Sequence, residues 1–299
     1  MSTQQGANGQ GANGRSNDWR SAALPPLRPG APGWLLVVLR LVPFAIVVYG
    51  GLLLLLLTRA VEAPVYGTSR PFSPRITQVV CKLSLRIIGL RLKRKGHPMR
   101  RRGAVVANHG SWLDIFSLNA CDRVYFVSKS EVAQWPGIGW LARATGTVFI
   151  ARNPAEAKAQ QGLFEARLGA GHRLLFFPEG TSSDSQRVLP FKSTLFAAFY
   201  THGLNVGMYI QPVTLRYIAP EGSDPRLYGW WGEMDFGPHL IRVLAQRRQG
   251  RVEVLYHKPV AVDDFPDRKA LAAHCEAVVR ASASGGKEGG RGKGGEGRG

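Results

Sequence analysis

From Trp34 to Thr58 the chain runs 25 residues with a single charge, Arg40, and the 18 residues from Leu41 to Thr58 carry none. Eighteen helical residues rise about 27 Å, close to the hydrocarbon thickness of a bilayer. A segment of this kind folds as a membrane-inserted helix, and everything after it must fold beside a lipid surface. A cleaved leader is not expected, because a long polar stretch precedes the segment and no small-residue cleavage site follows it. Pro43 and the Gly50-Gly51 pair offer kink points, so the segment either spans or enters and leaves one leaflet. A buried core helix is the remaining reading.

Charge supplies an orientation. Residues 59–102 hold twelve Lys or Arg against one acid, Glu62, and the positive-inside bias then puts the C-terminal body in the cytoplasm. Within this stretch Ile76, Val79, Val80, Leu83, Ile87 and Leu90 recur at helical spacing, with Arg75, Lys82 and Arg86 on a neighbouring flank. The pattern predicts a basic amphipathic helix suited to anionic lipid, or a core helix with solvated arginines.

The tails, residues 1–33 and 282–299, are rich in Gly and polar residues and are expected to be mobile. Between them, residues 103–281 read as one domain. The short apolar runs 104–107, 124–127, 147–150, 173–177, 213–215 and 252–256 predict strands, and 155–168, 192–202 and 268–281 predict helices. This alternation predicts an α/β fold with a largely parallel sheet flanked by helices. Cys81, Cys121 and Cys275 have neither paired spacing nor a neighbouring His cluster, so no disulfide framework or metal site is expected, and a reducing, cytosol-facing location fits.

Three polar clusters follow predicted strands, where α/β proteins place their sites. In the first, Asn108-His109-Gly110-Ser111-Trp112-Leu113-Asp114, a helix starting near Ser111 lets Asp114 reach back to the His109 imidazole. It would fix the tautomer and stabilise the imidazolium. Alone, the spacing equally describes a helix cap beside a satisfied histidine. In the second, Phe177-Pro178-Glu179-Gly180-Thr181-Ser182-Ser183, Pro and Gly bracket one carboxylate at a turn able to hold hydroxyls or an anion; the plain alternative is a strand-ending turn. In the third, Gly146 to Arg152 ends on a guanidinium suited to phosphate or carboxylate, or on an ordinary surface arginine. Lys129 and Lys192 are further cations beside these clusters.

Together these blocks resemble the glycerolipid acyltransferases of the lysophosphatidate acyltransferase type, with their N-H-x4-D and F-P-E-G-T motifs. The fourth block is Ile210-Gln211-Pro212-Val213, where Gln departs from the commoner small apolar residue. The resemblance covers roughly residues 75–260, and the stretch from Phe177 to Phe196 is further similar to a bacterial subgroup that includes lyso-ornithine lipid acyltransferases. It implies an enzyme of the bacterial inner membrane that moves an acyl group from acyl carrier protein or coenzyme A thioester to a lysolipid hydroxyl, without a cofactor. His109 would be the general base and Asp114 its orienter. Arg152 would hold the acceptor's anionic head group, with Glu179, Gly180 and Thr181 shaping its pocket. The backbone N–H groups around Gly110 and Ser111, or Lys129, would receive the oxyanion.

The net charge, 39 − 20 = +19, also fits phosphate binding. Much of the excess flanks the membrane segment, however, and no nucleic-acid-binding motif is present, so anionic lipid is the better acidic partner. A noncatalytic membrane adaptor is the remaining alternative, opposed by the intact set His109, Asp114, Arg152 and Glu179.

Overall fold

The structure is a computed structural model that describes residues 19, 24–67, 69–150, 157–200 and 206–284. The apolar segment is the middle of a longer helix, α1 (Ala31–Tyr66), which continues through Pro43 and Pro64. It begins inside the stretch expected to be a mobile tail. Just upstream of it Leu24 is buried, Leu27 packs against the core and Pro25 O accepts a hydrogen bond from Arg242.

α2 (Ser73–Ile88) returns along α1 and buries Cys81, Leu85 and Ile88. The amphipathic stripe expected from the sequence is therefore split. Val79 and Leu83 are exposed with Arg75, Lys82 and Arg86, while the buried face lies a fraction of a turn away. Residues 59–102 also do more than meet a surface: β1 (Arg91–Lys95) pairs parallel with the strand Arg251–Tyr256 and belongs to the sheet. Four of its five residues are cationic and only Leu92 reaches the core, which suits an edge strand and hides it from an apolar-run search.

The remaining elements are β2 (Gly103–Ala107), α3 (Leu113–Cys121), β3 (Tyr125–Lys129), α4 (Ile138–Thr145), β4 (Val148–Ile150), α5 (Ala157–Gly169), β5 (Leu174–Phe176), β6 (Tyr209–Ile218), α6 (Phe236–Leu244), β7 (Arg251–Tyr256), β8 (Val260–Ala261) and α7 (Arg268–Ser284). The strands run β1-β7-β6-β2-β5-β3-β4, with β8 beside the start of β6. All neighbours are parallel except β6 with β7 and with β8. The helix expected over 192–202 is a 3-10 helix over Ser193–Tyr200, and residues 201–202 lie outside the described residues.

β2 is buried along its whole length, as a central parallel strand covered on both faces must be. Its side chains alternate: Val105 and Ala107 join α1, α2, α3 and α6, whereas Ala104 and Val106 join α5, α7 and the 3-10 helix. The chain after β2 thus emerges at the C-terminal edge of the sheet, between two packed layers.

Candidate functional site

At that edge the Asn108 side chain takes over from the backbone ladder. Its amide donates to Leu215 O at 3.0 Å and accepts from Leu215 N at 2.7 Å, the pair of bonds a further strand residue would make with β6. The main chain is thereby released from the sheet at His109, and α3 follows.

Asp114, in the first turn of α3, has no solvent exposure and is surrounded by donors. Its Oδ2 accepts from Gly110 N at 2.9 Å and Ser111 N at 3.0 Å and lies 2.7 Å from His109 Nδ1; its Oδ1 accepts from the Tyr217 hydroxyl at 2.6 Å. Only an ionised carboxylate accepts from all four. His109 therefore carries its proton on Nδ1, and Nε2 is left with a lone pair. The imidazole stacks on Phe177 with ring centres 4.0 Å apart, and 19% of its side chain is exposed. The arrangement is a histidine base with fixed tautomer and orientation, at the mouth of a strand.

Glu179 points inward. It is 2% exposed, and its two oxygens accept from His109 N at 3.0 Å and Leu189 N at 3.1 Å. Burial pushes its carboxyl up to about 8, against the pull of those two N–H groups. This carboxyl braces the backbone beneath the histidine, whereas the family resemblance implied a place in a head-group pocket. Gly180 turns the chain with φ +71, and Thr181 is exposed. Lys129 is exposed at the end of β3.

The N–H groups of Gly110 and Ser111 are committed to Asp114 and are not free for an oxyanion. Ser111 is fully buried, and its Oγ accepts from Leu113 N. Arg152 lies outside the described residues. Among the described residues no group of three or more His, Cys, Asp or Glu is placed to hold a metal.

Two residues were invisible to motif reading. Tyr217 sits 103 positions from Asp114 in sequence, and burial and the adjacent carboxylate raise its hydroxyl well above the usual tyrosine range, so it stays a donor. His239 accepts from Trp112 Nε1 at 2.9 Å, and burial lowers its pKa to about 4, keeping it neutral.

Trp112, in the turn between His109 and Asp114, lines an apolar cavity of about 370 Å³, walled by Phe44 and Val48 of α1, Val80 of α2, Phe116 of α3, Leu141 of α4 and Phe236 of α6. A larger depression of about 860 Å³ beneath Leu27 to Gly33 touches neither His109, Asp114, Glu179 nor Tyr217.

The sequence matches the acyltransferase family over residues 91–216. It is 60% identical over 263 residues to the lyso-ornithine lipid O-acyltransferase of Rhodobacter capsulatus, covering 88% of this chain and 95% of that one. Identity to the enzyme of the same description from Brucella abortus is 36%, covering 69% and 81% of the two chains. The 1-acyl-sn-glycerol-3-phosphate acyltransferase of Neisseria gonorrhoeae is 35% identical, over 65% of this chain and 74% of that one. Among solved structures, the 1-acyl-sn-glycerophosphate acyltransferase PlsC of Thermotoga maritima superposes with a TM-score of 0.60 at 21% identity, over 86% of this chain and 96% of that one, and shares the fold.

Proposed function

The chain belongs to the acyltransferase family, and from that premise we propose that it transfers a fatty acyl group from a thioester to the free hydroxyl of a lysolipid. The observation that carries the reading is the His109–Asp114 pair, held in one turn with Trp112, which lines an apolar cavity. Lyso-ornithine lipid is the preferred acceptor, because the relative at 60% identity over nearly the whole chain acts on it. Lysophosphatidate is the second, supported by the Neisseria relative.

In the reaction, Nε2 of His109 takes the proton of the acceptor hydroxyl as that oxygen attacks the thioester carbonyl. Asp114 balances the imidazolium that forms. Collapse of the tetrahedral intermediate breaks the carbon–sulfur bond, and the departing thiolate takes the proton from Nε2. No covalent acyl-enzyme is needed. Of the oxyanion donors considered, Lys129 is the one not already committed. Arg152 receives the anionic part of the head group. The donor is an acyl carrier protein or coenzyme A thioester, whose acyl chain lies in the apolar cavity.

The body faces the cytoplasm and α1 lies along one leaflet. Contacts support the in-plane arrangement over a span. Arg40 binds Leu244 O and Gln246 O near one end of α1, and Glu62 accepts from Phe72 N and Ser73 N near the other. A helix tied to the body at both ends cannot stand across a bilayer without drawing that body in.

The test is acyl transfer by membranes containing the chain. Labelled acyl carrier protein or coenzyme A thioester is offered with each lysolipid separately, beside His109→Ala. Product that disappears with His109→Ala is the expected result, and unchanged product in that variant refutes the catalytic assignment.

A further inference from the structure

We infer that the segment from Ser130 to Thr145 is a second lipid-inserted element, with Trp135 and Trp140 anchoring it in the head-group layer beside α1. The inference rests on the membrane reading above and extends it to a part of the chain with no long apolar run.

The segment has two faces. Val132, and Ile138, Leu141, Ala142 and Thr145 of α4 at helical spacing, line the apolar cavity from within. Trp140 falls on the opposite side of α4 and is 62% exposed, and Trp135, in the loop just before the helix, is 40% exposed. Water gains nothing from two indoles held on the outside of a cavity wall. Single exposed apolar side chains need no explanation, but the loop between these two meets a third aromatic on another apolar surface. Tyr49, 47% exposed, lies on the outward stripe of α1 with Val42, Ile46 and Leu53. The loop meets it at Gly137, where an added Cβ would stand 2.6 Å from the Tyr49 hydroxyl and φ is +71. The exposed face of α1 thus adjoins the loop at that contact.

Trp and Tyr favour the layer between hydrocarbon and water, where a flat apolar ring and a polar N–H or O–H are both accommodated. Three such exposed residues, two flanking Gly137 and one meeting it beside an apolar stripe, suit that layer. A soluble acidic partner would instead require cations here, and the one arginine of α4, Arg143, donates to Ala133 O. The occupant that fits is lipid. One consequence is that the cavity wall separates acyl-chain space on one side from bilayer on the other.

The experiment places a nitroxide on the full-length protein at Trp140→Cys, with Leu53→Cys on α1 and Leu163→Cys on α5 as references. Cys81, Cys121 and Cys275 are buried and will not compete for label. In vesicles of phosphatidylethanolamine and phosphatidylglycerol, power saturation reports collisions with oxygen, which concentrates in lipid, and with a water-soluble nickel chelate. The expected result is a label at position 140 several-fold less accessible to nickel than the label at 163. If 140 matches 163 while 53 is shielded, α1 is in the membrane and this inference is overturned. If 53 and 140 both match 163, the membrane reading fails and carries this one with it. Shielding at 140 but not at 53 supports the inference and removes α1 from the bilayer. A Trp140→Ser chain that keeps its activity on micellar lysolipid but loses it on lysolipid in vesicles is the expected functional counterpart, and unchanged activity on both counts against the inference.

Discussion

Replacing Glu179 by Gln tests whether this carboxyl braces the histidine or holds substrate. Both Glu179 oxygens accept backbone N–H groups, from His109 and from Leu189. An amide has one oxygen and one NH2, so in either orientation the variant sets donor against donor at one of the two sites. The same conflict arises whether the native carboxyl is ionised or protonated, since a protonated oxygen still offers a lone pair. A buried N–H left without an acceptor costs about 1–3 kcal/mol. At roughly 2–4 °C per kcal/mol for a chain of this size, the thermal midpoint falls by about 2–12 °C. His109 is displaced at its own backbone, and a misplacement near 1 Å lowers turnover by up to about a hundredfold. The brace therefore predicts a lower kcat with KM for the lysolipid nearly unchanged. Steady-state kinetics in detergent, with thermal unfolding on the same sample, measure both. A Glu179→Gln enzyme with native midpoint and kcat and a raised KM would refute the reasoning and return Glu179 to the head-group pocket.

Three further outcomes are expected. Burial holds the Glu179 carboxyl near 8 in the folded chain against an ordinary 4.5, so the folded state keeps a proton that the unfolded chain releases. That stabilising contribution is complete below about 4.5 and is lost as pH rises through about 8; urea unfolding of wild type minus Glu179→Gln should show this slope, and a flat difference contradicts it. Tyr217→Phe leaves Asp114 Oδ1 buried without its donor, with an expected loss of about 1.5–3 kcal/mol and a lower kcat; equal stability to wild type by denaturant titration counts against the network. Arg40→Leu removes the hydrogen bonds of 2.7 and 2.6 Å to the end of α6, costing about 2 kcal/mol, read as a lower thermal midpoint and faster proteolysis between α1 and α2.

The contact between His109 and Asp114 was legible because the two are joined by a single turn, and short-range geometry survives in sequence spacing. So were most of the strands, whose apolar runs are buried on both faces. What was lost depends on long-range contact. Tyr217 reaches Asp114 from β6, and no local pattern marks it. Gly110 and Ser111 read as oxyanion donors because a turn rich in N–H groups looks free until the carboxylate that fills it is placed. Glu179 read as a pocket residue because a motif carboxylate in a turn does not reveal whether it faces in or out. β1 escaped because an edge strand with a single inward residue, Leu92, has no apolar period. The N-terminal tail was expected to be mobile as far as residue 33, since it is rich in Gly, Pro and small polar residues, yet Leu24 and Leu27 supply enough apolar surface to dock the stretch before α1.

The clasp between α1 and α6 also sets a schedule for synthesis. Arg40 and Gln246 are 206 residues apart, and at roughly 5–20 residues per second the ribosome needs about 10–40 s to make the second after the first. For most of that interval α1 is already made, and the part of its inner face that packs on α6 still waits for a partner. The bilayer is the natural holding place, which makes early delivery to the membrane part of how this domain avoids aggregation while the rest of the chain is still being made.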